Sequence, residues 1–155
     1  MTDLVATDTT PLTAPHVLEY TYTRSVGPVI GRFLGGLRDR RLLGVRTANG
    51  RVLVPPQEYD PDTGEAAGDD FVDVGPCGTV VTWAWVNAPR PKHPLSGPFA
   101  WALVRLDGAD TAMLHAVDAG DESRMSTGMR VRVRWREETS GEIQDIACFE
   151  PEGPR

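Results

Sequence analysis

The stretch Gly78-Thr79-Val80-Val81-Thr82-Trp83-Ala84-Trp85-Val86-Asn87 decides how the rest of the chain is read. β-Branched and aromatic residues dominate it, a glycine opens it and a proline-rich loop follows, which together predict a strand. Side chains alternate along a strand. Thr79, Val81, Trp83 and Trp85 are therefore expected on one face, and Val80, Thr82, Ala84 and Val86 on the other. Both sets are largely apolar, so both faces are expected to be covered. One would meet a barrel core, the other a second segment, a ligand or a partner subunit.

Outward from that strand towards the C-terminus, short strands are predicted at 71–75, 98–107, 111–117, 129–136 and 143–149, separated by turns. The 129–136 strand sends Met129, Val131, Val133 and Trp135 inward and Arg130, Arg132, Arg134 and Arg136 outward. Closely spaced strands predict a mainly β chain ending in a small barrel or sandwich. The length available, residues 69–150, suits a five-stranded barrel of the oligonucleotide/oligosaccharide-binding (OB) type. Ala119 to Gly128 is the expected connecting loop, with a short helical turn.

Towards the N-terminus, residues 25–42 carry a helical pattern. Ser25 opens it, and Pro28 suits a first turn that has no use for its missing N–H. Val29, Ile30, Phe33, Leu34 and Leu37 recur at helical spacing. Gly31, Gly35 and Gly36 weaken the helix and offer a flat surface, so it is expected to rely on tertiary or intersubunit packing. Residues 43–68 predict two hairpins, with Asn49-Gly50 turning the first and Asp60-Pro61-Asp62-Thr63-Gly64 the second. Residues 1–24 are a polar tail followed by an arm with Tyr20 and Tyr22, lying on its own domain or on a partner. Residues 151–155 are a second tail.

The 155 residues carry a net charge of −6, which argues against a general nucleic-acid binder. The outward arginine ladder is the one feature in favour, and Glu137 and Glu138 adjoin it. No apolar run is long enough to span a bilayer. Without an export signal, Cys77 and Cys148 are expected to be free, and the location cytoplasmic.

No catalytic constellation is legible. His16, His93 and His115 lie far apart, and a packed histidine is the default reading for His115. Neither cysteine sits in a nucleophile motif, and no phosphate-binding glycine loop is found. The loop from Asn87 to Pro98 is more informative, since Arg90, Lys92 and His93 stand together on a stiff segment of an acidic protein. With Trp83, Trp85, Phe99 and Trp101 nearby in sequence, it is a candidate contact for an anionic ligand or a partner. The bland alternatives are a solvated loop and an ordinary core.

The order of parts resembles the zinc-ribbon/OB-fold family that accompanies acyl-CoA enzymes, over roughly residues 26–150. The motifs are Phe33-Leu34-x-x-Leu37 with Arg41-Leu42, the hairpin with Gly50-Arg51 and Pro55-Pro56, and Gly78-Thr79-Val80-Val81-Thr82-Trp83. Leu103-Val104-Arg105-Leu106-Asp107-Gly108 and Gly128-Met129-Arg130-Val131-Arg132-Val133 complete them. Members with a degraded ribbon are similar to the small subunit of thiolase-fold, lipid-transfer-type aldolases of steroid side-chain degradation. The resemblance implies an accessory subunit that stabilises a thiolase-like partner and helps receive a β-hydroxyacyl-CoA ester for retro-aldol cleavage. It implies no catalytic residue and no cofactor here, with CoA thioester as substrate of the complex and neither nucleic acid nor membrane as partner.

Under that resemblance Arg90, Lys92, His93, Trp83, Phe99 and Trp101 would contact the CoA ester. Tyr20, Tyr22, Phe33, Leu34 and Leu37 would face the partner. The four positions of the zinc knuckles fall on Arg46, Asn49, Asp60 and Thr63, none a thiolate, so no metal is expected. An Arg46–Asp60 contact is the expected replacement. A subunit of an enoyl-CoA hydratase or thiolase complex, or a free-standing OB-fold binding module, are the alternatives.

Overall fold

The computed structural model describes residues 13–20 and 25–153. The arm residue Tyr22 lies outside the described residues. Residues 13–20 have no regular secondary structure and are exposed throughout, and Val17, Leu18 and Tyr20 keep 65–76% of their surface. The described arm therefore does not pack on its own domain.

Helix α1 runs Gly27–Arg38 with proline in its first turn. Phe33 and Leu37 are buried in the main core and Leu34 packs against it. This corrects the expectation that Phe33 and Leu37 face a partner: the apolar stripe is spent inside the molecule. Gly36 is the glycine that close packing requires. A Cβ there would meet Leu43 Cδ1 at 2.8 Å, whereas Gly35 has nothing within 4 Å. Arg32 lies over the Phe71 ring at 4.5 Å, a cation–π contact that fixes the helix on the sheet below it.

That sheet has three strands, β1 (Leu42–Arg46), β2 (Val52–Leu53) and β3 (Phe71–Val74), in the order β2–β1–β3. The Asn-Gly turn links β1 and β2, with Val45 opposite Leu53. Phe71–Val74 was expected to begin the barrel series. It instead pairs with β1, Leu42 opposite Val74 and Val45 opposite Phe71, because its apolar residues Phe71 and Val74 complete a small core with Val45, Leu53 and Ala67 and a larger one with Leu42. Arg41 grips Asp73 through Nε and Nη2 at 3.0 and 2.8 Å across that pairing. The free edge of β2 is closed by the barrel: the Val52 amide donates to Asp110 Oδ2 at 2.8 Å and the Val54 amide to Thr111 Oγ1 at 2.7 Å.

The barrel comprises β4 (Cys77–Val86), β5 (Phe99–Leu106), β6 (Met113–Val117), β7 (Arg130–Trp135) and β8 (Ile146–Pro151). It closes in the order β4–β5–β6–β8–β7, with β7 returning to β4. Counted within the barrel this is 1-2-3-5-4, with the third and fifth strands parallel, the partly open Greek-key barrel of an OB fold. A short 3₁₀ turn at Glu122–Arg124 sits in the β6–β7 connection, where a helical turn was expected. Val80, Val104, Met113, Val131 and Phe149 are at most 2% exposed and fill the interior.

The alternation expected for β4 breaks at Val81. The pairing with β5 passes from Val80–Val104 to Thr82–Leu103, leaving Val81 as a bulge. A bulge adds one residue and reverses the facing of everything after it. Val80 is therefore inside, and so are Trp83 and Trp85, which pack against the same core. The outer residues Val81, Thr82 and Ala84 are exposed. Neither the small sheet nor α1 covers them, which of the expected covers leaves a ligand or a partner subunit.

Candidate functional site

The closing contact of the barrel shapes its most distinctive cavity. Strands β6 and β8 share a single registered pair, Val117 with Phe149. Before that point they diverge, and a cleft of about 420 Å³ opens between the first half of β6 and the start of β8. Trp101, Leu114 and His115 line one side, and Ile143, Ile146 and Ala147 the other. Lys92 and His93 approach from the proline-rich loop and Arg136 from the end of β7. The described lining contains four basic or imidazole side chains and no carboxylate, in a protein of net charge −6.

The loop is held over the cleft by its own hydrogen bonds. The His93 amide donates to the Arg90 carbonyl at 2.9 Å, and the Arg90 amide donates to His93 Nδ1 at 3.2 Å. This turn lays the His93 ring edge-on against Phe99 and Trp101, at centroid distances of 5.6 and 6.3 Å. Beneath it Phe99, Ala116 and Cys148 form a small core on the outer barrel wall, joined by Leu95, Val86 and Trp101.

The opposite lip is set by two anchors. Asp145 is 2% exposed and accepts hydrogen bonds from the amides of Ser140, Gly141 and Glu142 at 2.9, 2.7 and 3.1 Å. Burial pushes its carboxyl up, and the three backbone donors outweigh this and hold it below the usual aspartate value. The bound loop delivers Ile143 and Gln144 to the cleft. Arg40, at the end of α1, donates to the carbonyls of Arg136 and Glu137 at 3.3 and 2.8 Å, and Thr139 donates to the Arg38 carbonyl at 2.7 Å.

His115 is 7% exposed, and its Nδ1 is buried without a hydrogen-bond partner. Its ring meets Phe149 edge-on at 5.7 Å. Burial lowers its pKa, opposed by the backbone carbonyls of Ala116 and Ile143, so the imidazole is neutral at physiological pH. A buried nitrogen left without a partner costs free energy, which makes this the one orphaned side-chain atom among the described residues.

Three of the six residues expected at an acyl-CoA contact, Lys92, His93 and Trp101, line this cleft. Phe99 is fully buried and supports it from behind. Arg90 makes the turn. Trp83 is on the inner face of β4, in the main core. Trp85 donates to Asn87 Oδ1 at 3.0 Å and lines a separate, open cavity with Asp121 and Glu122, whose carboxylates suit no anion. Sequence reasoning missed Leu114, Arg136 and Ile143. The signal available was the apolar character of Leu114 and Ile143 at positions that remain 61% and 44% exposed.

The positions matched to metal knuckles behave differently. Asn49, Asp60 and Thr63 line a shared cleft of about 260 Å³. Arg46 pairs with Asp70 at 3.4 Å, not with Asp60, which is buried and accepts from the Asp62 amide at 2.9 Å to close its own turn. The contact between the hairpins is Arg51 with Asp62. An amide, a carboxylate, a hydroxyl and a guanidinium do not fit structural zinc, and the described residues hold no cluster of three or more metal-ligating groups.

Both thiols are free. Burial pushes Cys148 up to about 11 and raises Cys77 as well, which suits neither as a nucleophile at neutral pH. The arginine ladder is partly neutralised: Arg130 pairs with Asp107 and Glu152, and Arg134 with Asp118 and Glu150. No described helix is long and apolar enough to cross a membrane.

A helix and a three-stranded sheet leading into an OB-fold barrel with a basic, apolar-floored cleft at its seam define the class of this protein. Residues 71–136 match the family model described as the ChsH2 C-terminal OB-fold domain. The solved Ltp2-ChsH2(DUF35) aldolase contains a chain of similar fold, at TM-score 0.60 and 23% identity, covering 83% of this chain and 98% of that one. A protein of unknown function from the DUF35 family of Sulfolobus solfataricus is similar at TM-score 0.61 and 17% identity, covering 82% and 85%. No curated protein matches the sequence. Residues 71–136 are thus similar to that OB-fold domain, and the two solved structures share the fold.

Proposed function

We propose that this chain is the OB-fold accessory subunit of a thiolase-fold acyl-CoA aldolase, in which the partner carries the chemistry of retro-aldol cleavage. The observation that carries this reading is the fold match across 98% of a chain of the Ltp2-ChsH2(DUF35) aldolase and 83% of this one, a share larger than the barrel alone. The exposed arm, with Tyr20 76% exposed, and the uncovered outer face of β4 at Val81 would supply surface for a large partner. The degraded hairpins would be a zinc ribbon whose metal has been replaced by Asp60 turn bonding and the Arg51–Asp62 pair. Steroid side-chain β-hydroxyacyl-CoA esters are the proposed substrates, and the cytoplasm the proposed location.

Co-expression with a thiolase-like gene from the same genomic neighbourhood tests this. The expected result is a stable hetero-oligomer on size exclusion that cleaves a β-hydroxyacyl-CoA, with neither chain active alone. A chain that elutes separately from that partner overturns the reading, and a complex with a hydratase-like protein instead assigns it to another acyl-CoA reaction.

A further inference from the structure

We propose that the second half of β4 is a docking edge, to which an extended segment of another protein, bearing a lysine or arginine, adds as a strand. The inference goes beyond the accessory-subunit reading and does not rest on it.

Strand β4 has neighbours on both sides only at its start. Its pairing with β7 reaches Thr79 opposite Arg130. The last bonds on that side join Val80 to the β6–β7 connection: the Val80 amide donates to the Met129 carbonyl at 3.0 Å, and the Gly128 amide donates to the Val80 carbonyl at 2.8 Å. On the other side β5 follows β4 as far as Val86 opposite Phe99. Past the Val81 bulge, residues 82–86 therefore have one strand neighbour among the described residues, and alternate backbone groups point away from it unpaired. Open edges are commonly blunted by charge, proline or a covering segment. The stretch Thr82-Trp83-Ala84-Trp85-Val86 carries neither charge nor proline, and Thr82 and Ala84 are exposed.

The charge beside that edge selects the occupant. A hollow of about 480 Å³ has Trp85 and Asn87 on the strand side and Asp121, Glu122 and Ser123 on the β6–β7 connection. Its lining holds two carboxylates and no cation. The Arg124 guanidinium is next to Gly120, outside that lining. Trp85 is fixed by its hydrogen bond to Asn87 Oδ1 at 3.0 Å. An indole with carboxylates near it suits an alkylammonium or guanidinium, through cation–π attraction and ion pairing. A strand added to the edge sends every second side chain to the same side. Backbone pairing then supplies the hold, and the cation in the hollow the selectivity.

The chain's own segments do not fit. The described arm, residues 13–20, carries Glu19 and no lysine or arginine. A second copy pairing edge to edge would bring its own Asp121 and Glu122 to the same place. The occupant is thus a different protein, with a basic extended segment.

Titration of the full chain with the synthetic peptide acetyl-Thr-Val-Lys-Val-Thr-Val-amide, followed by amide NMR, tests the proposal. The expected result is saturable binding that shifts the amide signals of residues 82–86 and slows deuterium exchange at those facing away from β5. The same peptide with glutamate in place of lysine is expected to bind about tenfold more weakly. Glu122→Lys, at an exposed position, should reverse that order, while Glu138→Lys, the same charge change on the β7–β8 connection, should leave it unchanged. A peptide N-methylated at alternate bonds should not bind, since it cannot pair as a strand. No binding of the lysine peptide, equal binding of the N-methylated one, or indifference to Glu122→Lys overturns the proposal. Self-association of the free chain that protects residues 82–86 would assign the edge to a second copy and overturn it too. The measurement needs no thiolase-like partner, so its failure leaves the accessory-subunit reading standing, and failure of the co-expression leaves the docking edge standing.

Discussion

Arg130 on β7 forks onto Asp107 at the end of β5, Nη1 to Oδ1 at 2.7 Å and Nη2 to Oδ2 at 2.5 Å, while its Nε reaches Glu152 at 3.1 Å. One guanidinium thus ties the end of β5 to the residue that follows β8. Its pKa is raised by the Asp107 and then the Glu152 hydrogen bonds. The side chain remains 39% exposed, so solvent screening limits what the charges contribute.

Arg130→Ala is therefore expected to lower stability by about 1 kcal/mol, or the melting temperature by about 3 °C. Differential scanning calorimetry checks this, and the difference should narrow in high salt. An unchanged melting temperature would show that the network is electrostatically idle. Because the ladder's charge is partly spent on carboxylates of the barrel's own surface, single-stranded DNA binding at physiological salt is expected to be absent.

Phe33→Ala and Tyr20→Ala should separate packing from docking. Phe33 is 2% exposed, and its truncation is expected to cost about 3–5 kcal/mol by urea unfolding. Tyr20→Ala should leave the urea midpoint alone and weaken the hetero-oligomer. Equal stability losses would place the arm on its own domain.

Gly78 stands where a Cβ would meet the Arg105 carbonyl oxygen at 2.7 Å and Val104 Cγ1 at 3.0 Å. Backbone cannot yield as a flexible side chain does. Gly78→Ala is expected to cost about 1–3 kcal/mol, read by the same unfolding measurement. Gly35→Ala, with open space around it, should be neutral or slightly stabilising.

Asp145 sets a pH dependence whose sign follows from its lowered pKa. A depressed folded value means that its stabilisation is present above the unfolded value, about 3.9, and is lost as pH falls through the folded one. Asp145→Asn keeps the shape and loses the charge-assisted acceptor. It should destabilise by about 1–3 kcal/mol at pH 7, with the gap from the unmodified protein closing in strong acid. A gap independent of pH would mean that the loop is held by packing.

Much of the architecture could be read from residue pattern. The barrel strands fall within one to three residues of their expected places, because each alternating run is bounded by glycine or proline turns. Facing was less legible. Val80 and Val81 are chemically identical neighbours, and only pairing with β5 reveals which is the bulge. Phe71–Val74 was legible as a strand, yet its choice of sheet depended on Leu42 and Val45, nearly thirty residues earlier. The ion pair of Arg46 could not be chosen among several aspartates on mobile-looking turns by spacing alone. The cleft was half visible. Lys92, His93 and Trp101 stood out together, whereas Leu114, Arg136 and Ile143 come from separate segments that only the closed barrel brings within reach of them.

That closure has a further consequence. A barrel fastened on one side by a single parallel rung has a latch, and the latch sits at the end of the seam cleft. The amides of β6 that point away from β5 have little to hold them before Val117, so they should exchange with deuterium ahead of the rest of the barrel. Whatever bridges Leu114 and Ile146 across the seam would slow that exchange.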